Sequence, residues 1–391
     1  MTKILRFVIA LLIFSSILGP AGKLPLNLEP INIYLSDILI VFLFIYLIIN
    51  VKKIYPVLKN NIPAKIFIIF TLFALLTLLI SPINLTYYEI LVSSLYLIRY
   101  LFYFGIYISA CYLLKTDKQG KSNLIKYLDI GGLLMLALSW FQYFLYPDLR
   151  NLSYLGWDPH YKRIFALIFD PNYLGLFLIY YFFLRITNYK KSLSNILILS
   201  ICLLTIAFTY SRSTYLALFL AGAYYSWQNK KLIPYFFISL ILILSLLLLP
   251  RPGGVGVKLE RFFTIRERLS NWQSAGQIIK RHPFFGVGFN TLRYARKKYN
   301  QLPENWLTSH SAAGVDNSLL FVFVTTGLIG LTIYLYFLLV LFKKLNLLGR
   351  SVFIASVFHS LFLNSLFFSF ILIWLWLICA LSEGKVAKGN N

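Results

Sequence analysis

The sequence predicts an all-α polytopic membrane protein of about 12 transmembrane helices, with a large, partly helical extracytoplasmic loop. Three observations predict it. Of 391 residues, 59% are hydrophobic and only 13% are charged, too little charge to cover a soluble chain of this length. Apolar runs of about 20 residues, enough to cross a bilayer core as a helix, follow one another along the chain. The lysine clusters between them fall in every second connection, as retention of short cationic loops on the cytoplasmic side requires.

The first run, 4–22, follows Lys3 and Arg6. It has the form of a signal peptide, but with so many spans behind it we read it as the first transmembrane helix. Further spans are expected near 33–50, 64–81, 88–114, 124–146, 165–185, 194–210, 213–228, 232–250 and 315–342. The last apolar block, 351–381, is long for one helix and short for two, and Asn364 and Ser365 are placed to break it into a tight hairpin. The clusters Lys52-Lys53 to Lys65, Lys115 to Lys126, Lys190-Lys191, Lys230-Lys231 and Lys343-Lys344 then share the cytoplasmic side with both termini. The chain divides into helices 1–9 (1–250), a loop (251–314), and helices 10–12 with a cytoplasmic C-terminus (315–391).

The formal net charge is +24. Most of it lies in short loops and not on one folded face, which excludes nucleic-acid binding. The 251–314 loop is different. It carries eleven basic residues against Glu260, Glu267 and Glu304, a net of +8. Loops beyond about 60 residues cross regardless of charge, and a basic outer surface suits an anionic ligand. Within it, Arg266 to Arg281 reads as an amphipathic helix with Leu269, Trp272, Ala275 or Gly276, and Ile279 on one side. HPFFGVGFN (282–290) ends that helix in turns, and Thr291 to Tyr299 reads as a second, very basic helix. Cys111, Cys202 and Cys379 all fall inside apolar runs, which is neither a disulfide framework nor a CxxC metal site.

Four stretches carry candidate chemistry. TYSRSTYLAL (209–218) puts Arg212 in a tight outer turn between two spans, as a snorkelling side chain or as a phosphate clamp. RIFALIFDPNYLG (163–175) puts Arg163 at the outer end of a span and interrupts the run with Asp170, Pro171 and Asn172. That is a proline kink capped by Asn172, a cavity-lining break, or both. RLSNW (268–272) and HPFFGVG (282–288) follow, and Gly286-Val287-Gly288 lacks the context of a dinucleotide fingerprint. Last come His310, Asp316 and Asn317 at the head of a long apolar run. Asp or Asn there is a common helix cap. An imidazole is a base near neutral pH, and an ionised carboxylate is a weak base but a good orienter. The outer acids are scattered singly, which does not suit a divalent metal.

In this order, and over about 160–335, SRSTYL, RLSNW, HPFFGVGFN and DNSLLFVFVTTGLIG resemble the O-antigen ligase and O-antigen polymerase superfamily. Arg212 and Leu216 match that family's Arg, three residues, Leu. Asp316-Asn317 to Gly327 and Gly330 match the spacing of its His, polar residue, nine residues, Gly-x-x-Gly, and RIFALIFDPNYLG resembles its arginine and PN segment. The resemblance implies a GT-C-type, inverting, metal- and cofactor-free glycosyltransferase of the bacterial cytoplasmic membrane, active on the outer face. Such enzymes move a glycan from undecaprenyl diphosphate to a hydroxyl of lipid A core, another glycan or a protein. The residues matching Arg212 and Arg268 hold the diphosphate, with Arg163, Asn172, Arg266 and His282 as further substrate-binding candidates. Here Asp316 replaces the motif histidine, so the base falls to His310 or Asp316, with Asn317 orienting. A lipid-linked glycan flippase and a non-catalytic lipid-glycan binder are the alternatives. A flippase would line a central cavity with cations, whereas the titratable set here lies at the outer face.

Overall fold

Where the apolar runs are unbroken, the chain is helical. The computed structural model describes residues 2–26, 31–155, 158–190, 192–232, 248–250, 257–258, 262–302 and 314–383. Its helices are α1 Thr2–Leu18, α2 Leu35–Ile49, α3 Val51–Lys59, α4 Ile62–Leu79, α5 Tyr87–Thr116, α6 Gly120–Leu145, α7 Pro171–Asn188, α8 Leu193–Ala207 and α9 Arg212–Gln228. They continue with α10 Phe263–Arg281, α11 Leu292–Lys298, α12 Ser318–Lys344, α13 Leu347–His359 and α14 Ser369–Leu381. No strand occurs among the described residues. Most of the run expected to span 232–250 lies outside them.

Among the described residues, five helices are long and apolar enough to cross a membrane: Thr2–Gly22, α4, α5, α6 and α12. The pair α2–α3, bent by 92° at Asn50, makes a sixth if taken as one crossing. The other apolar runs yield shorter helices because turns cut into them. The run expected from 165 is irregular until Pro171 starts α7. The 351–381 block divides into α13 and α14 around a short 3-10 turn, Ser365–Phe367, at the residues expected to break it. The chain is an integral membrane protein.

The core sits around α14, which is buried from Phe370 to Leu381. A helix apolar on every side belongs inside a bundle. Trp374 donates its indole N–H to Ser16 Oγ at 2.9 Å, and Trp376 meets the Phe104 ring edge-on at 5.2 Å. Charged residues in the apolar helices are met by opposite charge, the usual requirement at membrane depth. Arg99 pairs with Asp37, Arg185 with Asp129 at 3.0 Å, and Lys344 with Glu383 at 2.8 Å.

The loop contains both expected helices, and Trp272, Ala275 and Ile279 of the expected face of α10 pack against the core, whereas Leu269 does not. Leu269 is 49% exposed, while Ala275 and Ile278 are fully buried. The inward stripe therefore includes Arg268, Asn271 and Trp272, spaced three and four apart and so on one side of the helix.

Candidate functional site

Two features of the tertiary structure organise the motifs: a polar cluster built on side chains, and a joint built on backbone.

The cluster begins at the break before α7. Asp170 caps this helix, its Oδ1 accepting from the Asn172 N–H at 2.7 Å and the Tyr173 N–H at 3.4 Å. Capping therefore falls to Asp170, and Pro171 starts the helix instead of kinking it. Asn172 is free to reach across, its Oδ1 accepting from Ser211 Oγ at 2.7 Å. Ser211 in turn caps α9, accepting from the Thr214 N–H at 3.3 Å. The PN and SRST segments are thus interlocked, and Arg212 is presented as the first residue of α9. Below them Arg163 is buried. It donates through Nε to the Thr209 carbonyl at 2.8 Å and through Nη2 to that of Tyr210 at 3.5 Å. These contacts brace the turn that carries Arg212. Gln142 serves the irregular backbone, its Oε1 accepting from the Phe165 N–H at 2.9 Å and the Ala166 N–H at 3.2 Å.

From the loop, α10 brings Arg268 toward Arg212. The Arg212 pKa is lowered by burial and by the like charge of Arg268, so the two guanidiniums bear on each other. Asn271 and Trp272, on the same face, reach Asp316. Asn271 Nδ2 lies 3.5 Å from its carboxylate, and Trp272 Nε1 donates to its carbonyl at 3.4 Å. Asn317 caps α12 by accepting from the Leu320 N–H at 2.9 Å, which leaves the Asp316 carboxylate out of the capping role. Buried Arg296 ties the assembly, donating to the Asn271 side chain and to the Gly314 carbonyl at 2.9 Å. Its pKa is pushed down to about 10 by burial, with Asp316 acting in the opposite direction.

The joint lies further along the same motif. Inside α12, Gly327 (φ 68°, ψ −171°) breaks the helix, in a region that essentially only glycine adopts. The break frees backbone groups, and HPFFGVG takes them up. Val287 and Gly288 donate to the carbonyls of Val324 and Thr325 at 3.1 and 2.9 Å, and Leu328 donates to that of Pro283 at 2.8 Å. A Cβ on Gly327 would collide with the Phe284 carbonyl, and one on Gly286 would lie 2.5 Å from the Thr325 carbonyl carbon. These glycines exist for backbone-to-backbone contact.

Residues 197–335 match the family described as O-antigen ligase. This segment belongs to the O-antigen ligase superfamily. No curated protein matches the chain. The matched segment contains Arg212, Arg268, Asp316, Asn317 and the whole glycine joint. Arg163, Asn172 and the break after α13 lie outside the ligase segment in sequence but join it in space.

The expected site residues are accordingly divided. Arg212, Arg268, Asn172, Asp316 and Asn317 come together, with Arg163 as a buried brace beneath. His310 lies outside the described residues. Arg266 is exposed, two positions and so about 200° around α10 from Arg268. His282 sits at the far end of α10, about 21 Å along its axis from Arg268, where its Nε2 pairs with Tyr299 Oη at 2.7 Å. Burial, then Lys298 and Arg281, lower its pKa.

Sequence reading also missed residues. Asn271 and Arg296 were legible only as parts of a motif and of a charge count. His359 carried no local signal, and Asn364 was legible only as a helix breaker. His359 is fully buried, with Nδ1 2.6 Å from Ser365 Oγ.

Proposed function

We propose that this chain is a GT-C-type membrane glycosyltransferase that moves a glycan from undecaprenyl diphosphate to a hydroxyl acceptor on lipid A core, another glycan or a protein. The observation that carries this reading is the match of residues 197–335 to the O-antigen ligase family, a segment that holds Arg212 and Arg268, whose charges bear on each other. Two cations held toward each other favour an anion between them. Charge-assisted hydrogen bonds of this kind contribute about 1.5–3 kcal/mol each. They count most as negative charge grows on the departing diphosphate, so the arginines supply the electrostatic work without a metal. Asp316, positioned by Asn271, Trp272 and Arg296, accepts the proton of the acceptor hydroxyl, and attack inverts the anomeric centre. His310 is the rival base.

In this reading about 12 crossings divide the chain at 250 and 314. Both termini are cytoplasmic, and the cluster faces outward from the bacterial inner membrane. The charges matched inside the helices, against like charges facing each other in the cluster, favour transfer at the cluster over passage of the lipid through the bundle. The test is reconstitution with the lipid-linked glycan extracted from a strain lacking this chain. Arg212→Ala is expected to lose transfer while still inserting, and normal transfer by that variant overturns the reading. Asp316→Asn against His310→Ala assigns the base, and cysteine labelling at position 212 tests its outward placement.

A further inference from the structure

The break between α13 and α14 is the part of the cluster that the reading above leaves without a role. It is firmly attached to the head of α12. Ser318 donates its N–H to the Ser360 carbonyl at 2.8 Å and its hydroxyl to the Leu363 carbonyl at 3.4 Å. It accepts from the Leu366 N–H at 3.2 Å. The break therefore holds a set position two residues from Asp316. It carries an unused amide oxygen and an aromatic pair that packing covers only in part. Asn364 Oδ1 is buried with no hydrogen-bond partner among the described residues, a costly state for an amide unless something else satisfies it. Phe368 stacks on Tyr173, with ring centroids 3.8 Å apart and planes 6° from parallel, and both rings keep part of their surface exposed. The Asn364 backbone faces the Tyr173 hydroxyl, and its side chain lies beside Gly314. The amide, the aromatic pair and the Asp316 segment thus adjoin one another.

We infer that this break forms the acceptor-sugar subsite, with the Asn364 amide binding a hydroxyl of the acceptor and the Tyr173–Phe368 pair bearing the sugar's apolar face. The inference rests on the glycosyltransferase reading and adds the side from which the acceptor arrives. The chemistry selects a neutral ligand. A primary amide satisfies a hydroxyl as donor and acceptor alike, while a diphosphate is drawn to the guanidiniums of Arg212 and Arg268. His359 is a positioning residue. Its bond to Ser365 Oγ holds the turn in place.

The experiment measures initial transfer rates in proteoliposomes, with the lipid-linked glycan extracted from a strain lacking this chain as donor and envelope from that strain as acceptor. Donor and acceptor are varied separately. Asn364→Ala is expected to raise the half-saturating amount of acceptor about tenfold, the scale of one hydrogen bond, and to leave donor saturation unchanged. Asn364→Gln recovers part of the loss. Phe368→Leu, which leaves the amide in place, raises the acceptor requirement on its own and serves if Asn364→Ala does not accumulate. Unchanged acceptor saturation in both Asn364→Ala and Phe368→Leu, or a shift in donor saturation instead, overturns the subsite. Arg212→Ala is run in parallel. If it transfers normally, the enzyme reading itself has failed, a result distinct from failure of the subsite alone.

Discussion

The glycine joint and the arginine cluster draw on the same motif block and use it in opposite ways. At the joint, Val324, Thr325 and Leu328 exchange backbone hydrogen bonds with 283–288, and glycine is needed because any side chain would occupy the contact. At the cluster, the backbone of the turns is already satisfied by caps and by Arg163, Arg268 bears on the charge of Arg212, and Asp316 is held by Asn271 and Trp272. DNSLLFVFVTTGLIG thus has a chemical front end and a mechanical back end. The difference teaches that a family motif need not mark one site. Here one half joins the arginine cluster and the other fastens the basic loop to the membrane helices.

The largest effect is expected from breaking the joint. Gly327→Ala meets both a forbidden backbone region and a collision with Phe284, a loss of about 3 kcal/mol or more. The variant should fail to accumulate in membranes, and immunoblotting measures this. If it accumulates and transfers normally, the joint is not a fastening. Next comes the cluster. Arg212→Lys keeps the charge but loses the planar fork, and transfer should drop about a hundredfold at unchanged protein level. A variant that loses protein as well would place Arg212 on the mechanical side of the comparison.

Arg163→Met tests the brace between the two regions. It leaves the Thr209 carbonyl without its 2.8 Å donor, at a cost of about 1–3 kcal/mol. Both the thermal midpoint in detergent and transfer should fall, each by less than in the two variants above. A loss of transfer alone would make Arg163 a substrate ligand. The smallest effect is at His282, which the structure separates from the cluster. Its folded pKa is lowered, so the unfolded chain takes up the proton first on acidification. The associated stability is present above about pH 6.5 and is lost as pH falls. The thermal midpoint should decline slightly between about pH 7 and pH 5, and His282→Gln should flatten the decline without changing transfer at neutral pH. A lost transfer activity would bring His282 back into the site.

Several parts of this protein could be read without a structure. Composition determined the membrane class, because apolar surface on that scale has nowhere else to go. The loop helices around 266–281 and 291–299 followed from local periodicity, and the break at Asn364 and Ser365 from polar residues in an apolar block. Arg212, Arg268 and Asp316 were legible because their motifs are short and contiguous.

What only the tertiary structure decided concerns choice of partner. Periodicity could not show that α10 turns Arg268 and Asn271 partly inward and leaves Leu269 outside, since neighbouring stripes on a helix differ by one residue. Nor could it show that Asp170 caps α7 so that Asn172 can hold Ser211, or that His359 and Asn364 reach the head of α12. Helix formation depends on neighbours three or four residues away, which the sequence displays in order. The site depends on side chains tens to hundreds of residues apart, and packing alone sets which of them meet.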